Sequence, residues 1–432
     1  MFDEGDSHVS IPAWTENYHT VRLFSVCRLL SAKVTPEQMS ENSVFHYSIP
    51  NVQTVGTGVE EDGSSIASDK LLISEPCVLI SKLNPRKSTV CLASPQSMLS
   101  VASTEFVSIT TGDDTDNRYL FWVLRSSIIT QYLSSIVSST TNSHQRVQPS
   151  DVYGMDIPWP AKETRTAIYQ YLDRETREID AMLAKLDELE QTLLKRRRAV
   201  ILEATCQGSS TVGGPSESPS NGLPDREWRM LPLKFAMESA QTGVWGQPTN
   251  GGSDDVPCAR VADFDRLAIQ VTEVPTFRRI VHAERIRCGL QRGDILVEKS
   301  GGTDKNPVGA AVAYMGDAPA VCSNFILRLR CRENHYPRFW LYVLHGSYIA
   351  GRTWNYVRQT TGIQNLDVNG FMSMRHPTPD FDEQRRIADH LDEVTGRIDA
   401  MLATIDELKA LLVERRAALI TDVVTGRKKV PA

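Results

Sequence analysis

The sequence predicts an α+β chain of two globular α/β blocks, each followed by one long helix. The two helices are expected to pair as an antiparallel coiled coil, which gives the chain a pseudo-twofold axis. Three observations carry this expectation. Residues 168–205 return 219 positions later at 387–424, with 18 of 38 positions identical and the run IDAML copied unchanged. A repeat at long fixed period dictates architecture, and two copies are too few for a solenoid. Within each copy an apolar residue recurs every seven positions. Between the copies, Gln207–Asp225 reads QGSSTVGGPSESPSNGLPD, a Gly/Ser/Pro stretch of the kind that joins separately folded units.

The elements follow in order. The first block, 1–160, has strand character at Leu71–Leu83 and an aromatic-aliphatic helix at Arg118–Ile136. Pro158 and Pro160 then hold the chain extended ahead of the first long helix, 161–206. Its seam is Leu172, Ile179, Leu186, Leu193 and Val200, with Met182 and Leu189 expected to fill a second line three residues on. No Gly or Pro interrupts Glu163–Thr205, and about 40 helical residues make a rod about 60 Å long. The flexible linker is placed at 207–222. The second block, 223–380, repeats the pattern with a strand at Gly293–Lys299 and a helix at Arg338–Tyr348, then Pro377 and Pro379. The second long helix, 381–426, carries Leu391, Ile398, Ile405, Leu412 and Leu419, with Met401 and Leu408 offset. A short basic tail, 427–432, closes the chain. SSTTNSHQRVQPSDVYGMDIPWP also resembles RQTTGIQNLDVNGFMSMRHPTP, so the blocks are expected to share a fold while differing in surface.

Composition narrows the function classes. No stretch of 18 apolar residues occurs in the 432, and the N-terminus MFDEGDSHVS is acidic where a signal peptide would be basic. The eight cysteines form no C-x-x-C pair and no Cys/His ligand spacing, which points to free thiols in a reducing cytoplasm and to no metal site. There is no G-x-x-x-x-G-K-[ST] phosphate loop and no Asn/Asp-Pro-Pro-Tyr/Phe methyltransferase motif. Asp294, Glu298 and Lys299 share residue types with a nuclease strand, but adjacent residues point to opposite faces. No catalytic residues are expected.

Several further motifs carry a family resemblance. They are Pro377-Thr378-Pro379, Asp382-Glu383-Gln384-Arg385-Arg386-Ile387-Ala388, Leu391-Asp392, Thr395, Ile398-Asp399 and Glu414-Arg415-Arg416-Ala417-Ala418-Leu419-Ile420, ending in Val424-Thr425-Gly426-Arg427. In the second block they are GDILVEKSGG at 293–302, Pro307-Val308-Gly309 and Thr360-Thr361-Gly362-Ile363-Gln364-Asn365-Leu366. With these the chain resembles the specificity subunit of type I restriction–modification systems across nearly its whole length. The first copy departs from the pattern at Glu163-Thr164-Arg165 and at Cys206-Gln207-Gly208.

The resemblance implies that each block is a target recognition domain reading one half of a split sequence on double-stranded DNA. It implies that the helices set the spacing and dock two methyltransferase subunits, joined in the full enzyme by restriction/translocase subunits. This subunit would hold no cofactor. S-adenosylmethionine would belong to the methyltransferase, and ATP and Mg to the restriction subunit.

Candidate DNA contacts are polar side chains on the blocks' loops. In the first block they are Lys82, Asn84, Arg86 and Lys87, with the run Asn142, Ser143, His144, Gln145 and Arg146. In the second they are Lys299, Ser300, Lys305 and Asn306, with Arg358, Gln359, Thr360, Gln364 and Asn365. Arg reads guanine and Asn or Gln reads adenine through paired hydrogen bonds in the major groove. For any one of these residues, loop capping or plain surface polarity is an equally good reading. Charge divides unevenly: residues 1–160 hold 10 basic and 17 acidic side chains, net −7, and 223–380 hold 19 and 16, net +3. An acidic first block is awkward for phosphate attraction. The alternative of another class is a noncatalytic coiled-coil scaffold whose blocks bind proteins.

Overall fold

The computed structural model describes residues 17–137, 145–206, 228–303, 305–317, 319–360 and 362–431. The expected linker and the candidates Asn142, Ser143 and His144 lie outside them. The chain is mixed α/β and divides into two compact units. One is Met1–Leu186 with Glu407–Ala432, and the other is Asp187–Asp406.

In the first unit, a four-stranded antiparallel sheet runs Arg28–Leu29, Phe106–Thr110, Cys77–Ser81, Val90–Ala93, and a five-stranded sheet runs Lys33–Val34, Lys70–Leu72, Ser100–Ser103, Ser43–Tyr47, Val59–Asp62. The single strand expected over Leu71–Leu83 is therefore two, in different sheets. The break falls at Pro76, which has no N–H to continue a ladder. The expected helix at Arg118–Ile136 is likewise two, Asp114–Leu124 and Ser127–Ser135. Ser126 between them is extended, and Thr421 Oγ1 accepts from the Ser127 N–H at 3.1 Å. Tyr119, Leu120, Trp122 and Val123 from the first of these helices share one core with Ile168, Leu172 and Ile179 and with Leu419, Ile420 and Val423.

In the second unit, a five-stranded sheet runs Met237–Thr242, Ile326–Cys331, Ile295–Glu298, Ala311–Tyr314, Gln270–Val271, beside a three-stranded sheet and the hairpin Val357–Thr360/Ile363–Leu366. The helix Pro337–Ile349 supplies Phe339, Trp340, Leu341 and Tyr342 to a core that also takes Ile201, Ile387 and Leu391. Each unit thus packs its sheets and aromatic helix against a stretch of both long helices, Lys162–Cys206 and Phe381–Val424. Ahead of the long helices the Pro-containing segments form short strands, Asp156–Pro158 and Arg375–Thr378. The helix starts are built alike with different side chains. Arg165 donates to Pro160 O at 2.6 Å, and Gln384, its repeat partner, to Pro379 O at 2.9 Å.

The helix seam differs from expectation in one respect. Leu172, Ile179, Leu193, Leu391, Ile398 and Ile405 are buried, and Leu186 and Leu412 half-buried. The offset positions Met182, Leu189, Met401 and Leu408 are instead 49%, 47%, 52% and 44% exposed. The second line lies four residues on, with Thr176, Arg197, Thr395, Leu402 and Val423 buried and Leu183 half-buried. Polar residues at several of these positions hide the line from a hydrophobic reading. Their polar atoms are satisfied locally: Thr176 and Thr395 each donate to the carbonyl four residues back, at 2.6 and 2.7 Å.

Candidate functional site

Both units build the same backbone frame at the end of a central strand. In the first, the strand Cys77–Ser81 runs into Lys82, whose N–H donates to Glu105 O at 2.8 Å and whose carbonyl accepts from Val147 N–H at 3.1 Å. Asn84 N–H donates to Gln145 O at 2.8 Å, and Leu83 bridges Arg146. In the second, Ile295–Glu298 runs into Lys299, whose N–H donates to Phe325 O at 2.7 Å and whose carbonyl accepts from Leu366 N–H at 2.8 Å. Gly301 N–H donates to Gln364 O at 3.0 Å, and Ser300 bridges Asn365. Lys82, Leu83 and Asn84 correspond to Lys299, Ser300 and Gly301, and Gln145, Arg146 and Val147 to Gln364, Asn365 and Leu366. Two segments far apart in sequence are thereby laced side by side in each unit.

The side chains on this frame are unlike. In the first unit Arg146 donates to the Glu105 carboxylate at 2.5 Å. Asn84 (φ +50°) and Ser88 (φ +47°) bracket the turn Pro85–Lys87. Left-handed backbone is tolerable for Asn and uncommon for Ser, so the turn is held under local strain. It presents Arg86 and Lys87 outward, with Lys82, Asn84 and Gln145 half-buried to half-exposed beside them.

In the second unit Lys305, Asn306, Arg358 and Gln359 are exposed. Ser300 Oγ donates to Asn365 Oδ1 at 2.7 Å, and Arg358 to Asp367 at 2.5 Å. Gln364 is buried, and its Oε1 accepts from Val308 N–H at 3.3 Å, so it fastens the 299–308 loop to the hairpin rather than facing solvent. Thr360 belongs to the hairpin strand Val357–Thr360. Apart from the buried Gln364, the candidates of each unit that fall among the described residues lie on the segments that this frame laces together and on the loops that extend from them.

Sequence reasoning did not single out Trp245, Arg260, Arg266 and Phe325 as site residues. With Glu298 and Ser300 they line a cavity of about 560 Å³ beside the second frame. Glu298 is 3% exposed, and its Oε2 accepts from Arg266 at 2.7 Å. Burial pushes the Glu298 carboxyl above the usual range, although Arg266 opposes the shift. Asp294, just ahead of the strand Ile295–Glu298, accepts from Arg330 through two bonds of 2.7 Å. Among the described residues no group of three His, Cys, Asp or Glu could hold a metal ion. No helix there is long and apolar enough to cross a membrane.

No family model matches the chain. It is 22% identical over 288 residues to the type I restriction enzyme StySPI specificity subunit of Salmonella potsdam, a match covering 66% of this chain and 59% of that protein. A structure from a study of complex assembly and conformational transition of the type I R-M system matches at TM-score 0.67 and 20% identity. It covers 95% of this chain and 98% of its own. The HsdS subunit from Thermoanaerobacter tengcongensis matches at TM-score 0.54 and 19% identity, over 96% and 98%. Fold, repeat and sequence converge: the chain has the fold of the specificity subunits of type I restriction–modification systems, and its resemblance to that family holds in sequence and in structure.

Proposed function

We propose that the chain is a noncatalytic DNA-reading subunit in which each unit recognises one half of a bipartite target. The observation that carries this reading is the shared backbone frame with unlike side chains. One unit offers Lys82, Asn84, Arg86, Lys87, Gln145 and Arg146, and the other Lys299, Ser300, Lys305, Asn306, Arg358, Gln359 and Asn365. A fixed frame with exchangeable polar side chains suits two different base sequences, since specificity lies in side-chain placement. The recognition domains are placed at 1–160 and 223–380, and the spacer helices at 161–206 and 381–426.

The helices are read as an antiparallel pair. Supporting this, Arg197 donates to Asp399 in one unit, and in the other Arg416 donates to Asp180. In each pair the aspartate comes from one copy of the repeat and the arginine from the other, as a pseudo-twofold axis requires. The exposed apolar faces of the helices suit docking of two methyltransferase subunits, which would bring S-adenosylmethionine. Restriction subunits would bring ATP and Mg, and the complex would act in the cytoplasm.

The test is modular. Exchanging residues 223–376 for the matching block of a relative, with the neighbouring methyltransferase present, is expected to change one half of the recognised sequence and leave the other. A changed sequence in both halves would mean joint reading, and sequence-independent binding by both proteins would favour a protein-interaction scaffold.

A further inference from the structure

The cavity beside the second frame joins two polar candidates, Ser300 and Asn306, to apolar walls that base edges in a groove do not call for. Its walls include Trp245 and Phe325, 39% and 46% exposed, which are large apolar faces turned to solvent in a concave site. Arg278 stacks on Trp245 at 4.5 Å and fixes that ring. Glu298 is buried in the lining. One of its oxygens is taken by Arg266, and the other has no hydrogen-bond partner among the described residues. The Nε–H of Arg260 is enclosed and equally without an acceptor there. Gly301 and Gly302 complete the lining next to Lys299. A Cβ on Gly302 would lie 2.6 Å from Val308 N and 2.8 Å from Asn306 O, so the loop is folded as tightly as glycine permits.

Resting on the DNA-reading function above, we propose that this cavity receives one nucleobase extruded from the DNA helix. A stacked base pair shows a protein only its edges, whereas a ring between aromatic walls must have left the stack. The volume falls within the range of roughly 300–1,000 Å³ typical of small-ligand sites and accommodates a base with its sugar. The chemistry is matched on three counts. Trp245 and Phe325 stack on the base. The free Glu298 oxygen accepts from an exocyclic amine or ring N–H. The exposed Lys305 belongs to the loop that carries the lining residues Thr303 and Asn306 and suits a flanking phosphate.

The first unit supplies an internal control. On the shared frame Ser81 stands where Glu298 does, and Glu105 where Phe325 does. The Ser81 hydroxyl is spent on Leu83 O at 3.0 Å, and Glu105 Oε1 accepts from Arg146 while Glu105 Oε2 is enclosed without a donor. No aromatic wall stands at either position and the unpartnered Glu105 oxygen is enclosed, so extrusion is assigned to the second half-site alone.

The test uses the full chain with its neighbouring methyltransferase and a duplex of the sequence it recognises. 2-Aminopurine is placed in turn at every purine, and beside every pyrimidine, of the half-site that the 223–376 exchange alters. The methyl-acceptor adenine and its neighbours are left out. A several-fold rise in fluorescence is expected at one position. Trp245→Ala and Phe325→Leu should abolish it and weaken binding roughly tenfold, with the first half-site read as before. Tight binding with no rise at any position, or a rise that survives both substitutions, overturns extrusion and leaves DNA reading intact. Failure to bind any duplex overturns both.

Discussion

Arg197→Met is expected to destabilise the second unit far more than the repeat-equivalent Arg416→Met destabilises the first. Arg197 is 7% exposed and makes three bonds: Nε to Asp399 Oδ1 at 2.8 Å, Nη2 to Oδ2 at 3.3 Å, and Nη2 to Leu267 O at 2.5 Å. Arg416 is 22% exposed, its partner Asp180 54%, and their contacts are longer, at 3.1 and 3.4 Å. Removing one partner of a buried pair costs about 3–5 kcal/mol. Asp399 is 31% exposed and regains water, so the lower end, about 3 kcal/mol, is the expected loss. For a unit of this size that is a fall in Tm of about 6–12 °C. The exposed Arg416 pair contributes about 0–1 kcal/mol, less than about 4 °C. Calorimetry of the full chain with each substitution separates the two. Equal shifts, or none for Arg197→Met, would refute the argument that burial makes the two copies of this pair unequal.

Three further outcomes are expected. Leu193→Glu with Leu412→Glu sets charge into the helix seam at a cost of several kcal/mol; co-purification should show loss of methyltransferase assembly or of specific binding, and unchanged assembly and site preference would contradict the seam. His376 is fully buried with neither ring nitrogen bonded among the described residues, and burial lowers its pKa to about 3. The unfolded chain therefore takes up the proton first, so stability falls as pH drops from about 6.5 towards 3, by about 2 kcal/mol at pH 5; His376→Gln should flatten the dependence of urea midpoint on pH, and an unaltered slope would exclude this histidine as the cause. Inserting four residues near Glu190, with a matching insertion in the partner helix, adds about 6 Å and about 40° beyond a full turn; methylation mapping should then find the same half-sites with a gap longer by one or two base pairs, and an unchanged gap would mean that the helices are not the ruler.

Much of this molecule was legible because the repeat is written in apolar periodicity, which survives divergence: Leu172 and Leu391 are buried at matching positions. The second helix line was misread for a physical reason. Thr176, Thr395 and Arg197 occupy core-facing positions with their polar atoms satisfied, while Met182 and Met401 are apolar and exposed. The strand and helix breaks at Pro76 and Ser126 depend on which sheet or helix claims each backbone group, and a local pattern does not encode that. In the candidate site, the polar loops could be named residue by residue. The lacing of Lys82 to Glu105 and Val147, and of Lys299 to Phe325 and Leu366, could not, because main-chain hydrogen bonds leave no side-chain signature. Gln364 shows the limit clearly: as a residue type it suits adenine, but its place in the fold commits it to Val308.

The most direct measurement is methylation sequencing of a host that carries this chain with its neighbouring methyltransferase, set against the same host lacking the chain. The account predicts methylated adenines in a single bipartite motif, two short specified halves separated by an unread gap, present only with the chain. Methylation that is unchanged by deleting the chain, or a continuous motif without a gap, would contradict it.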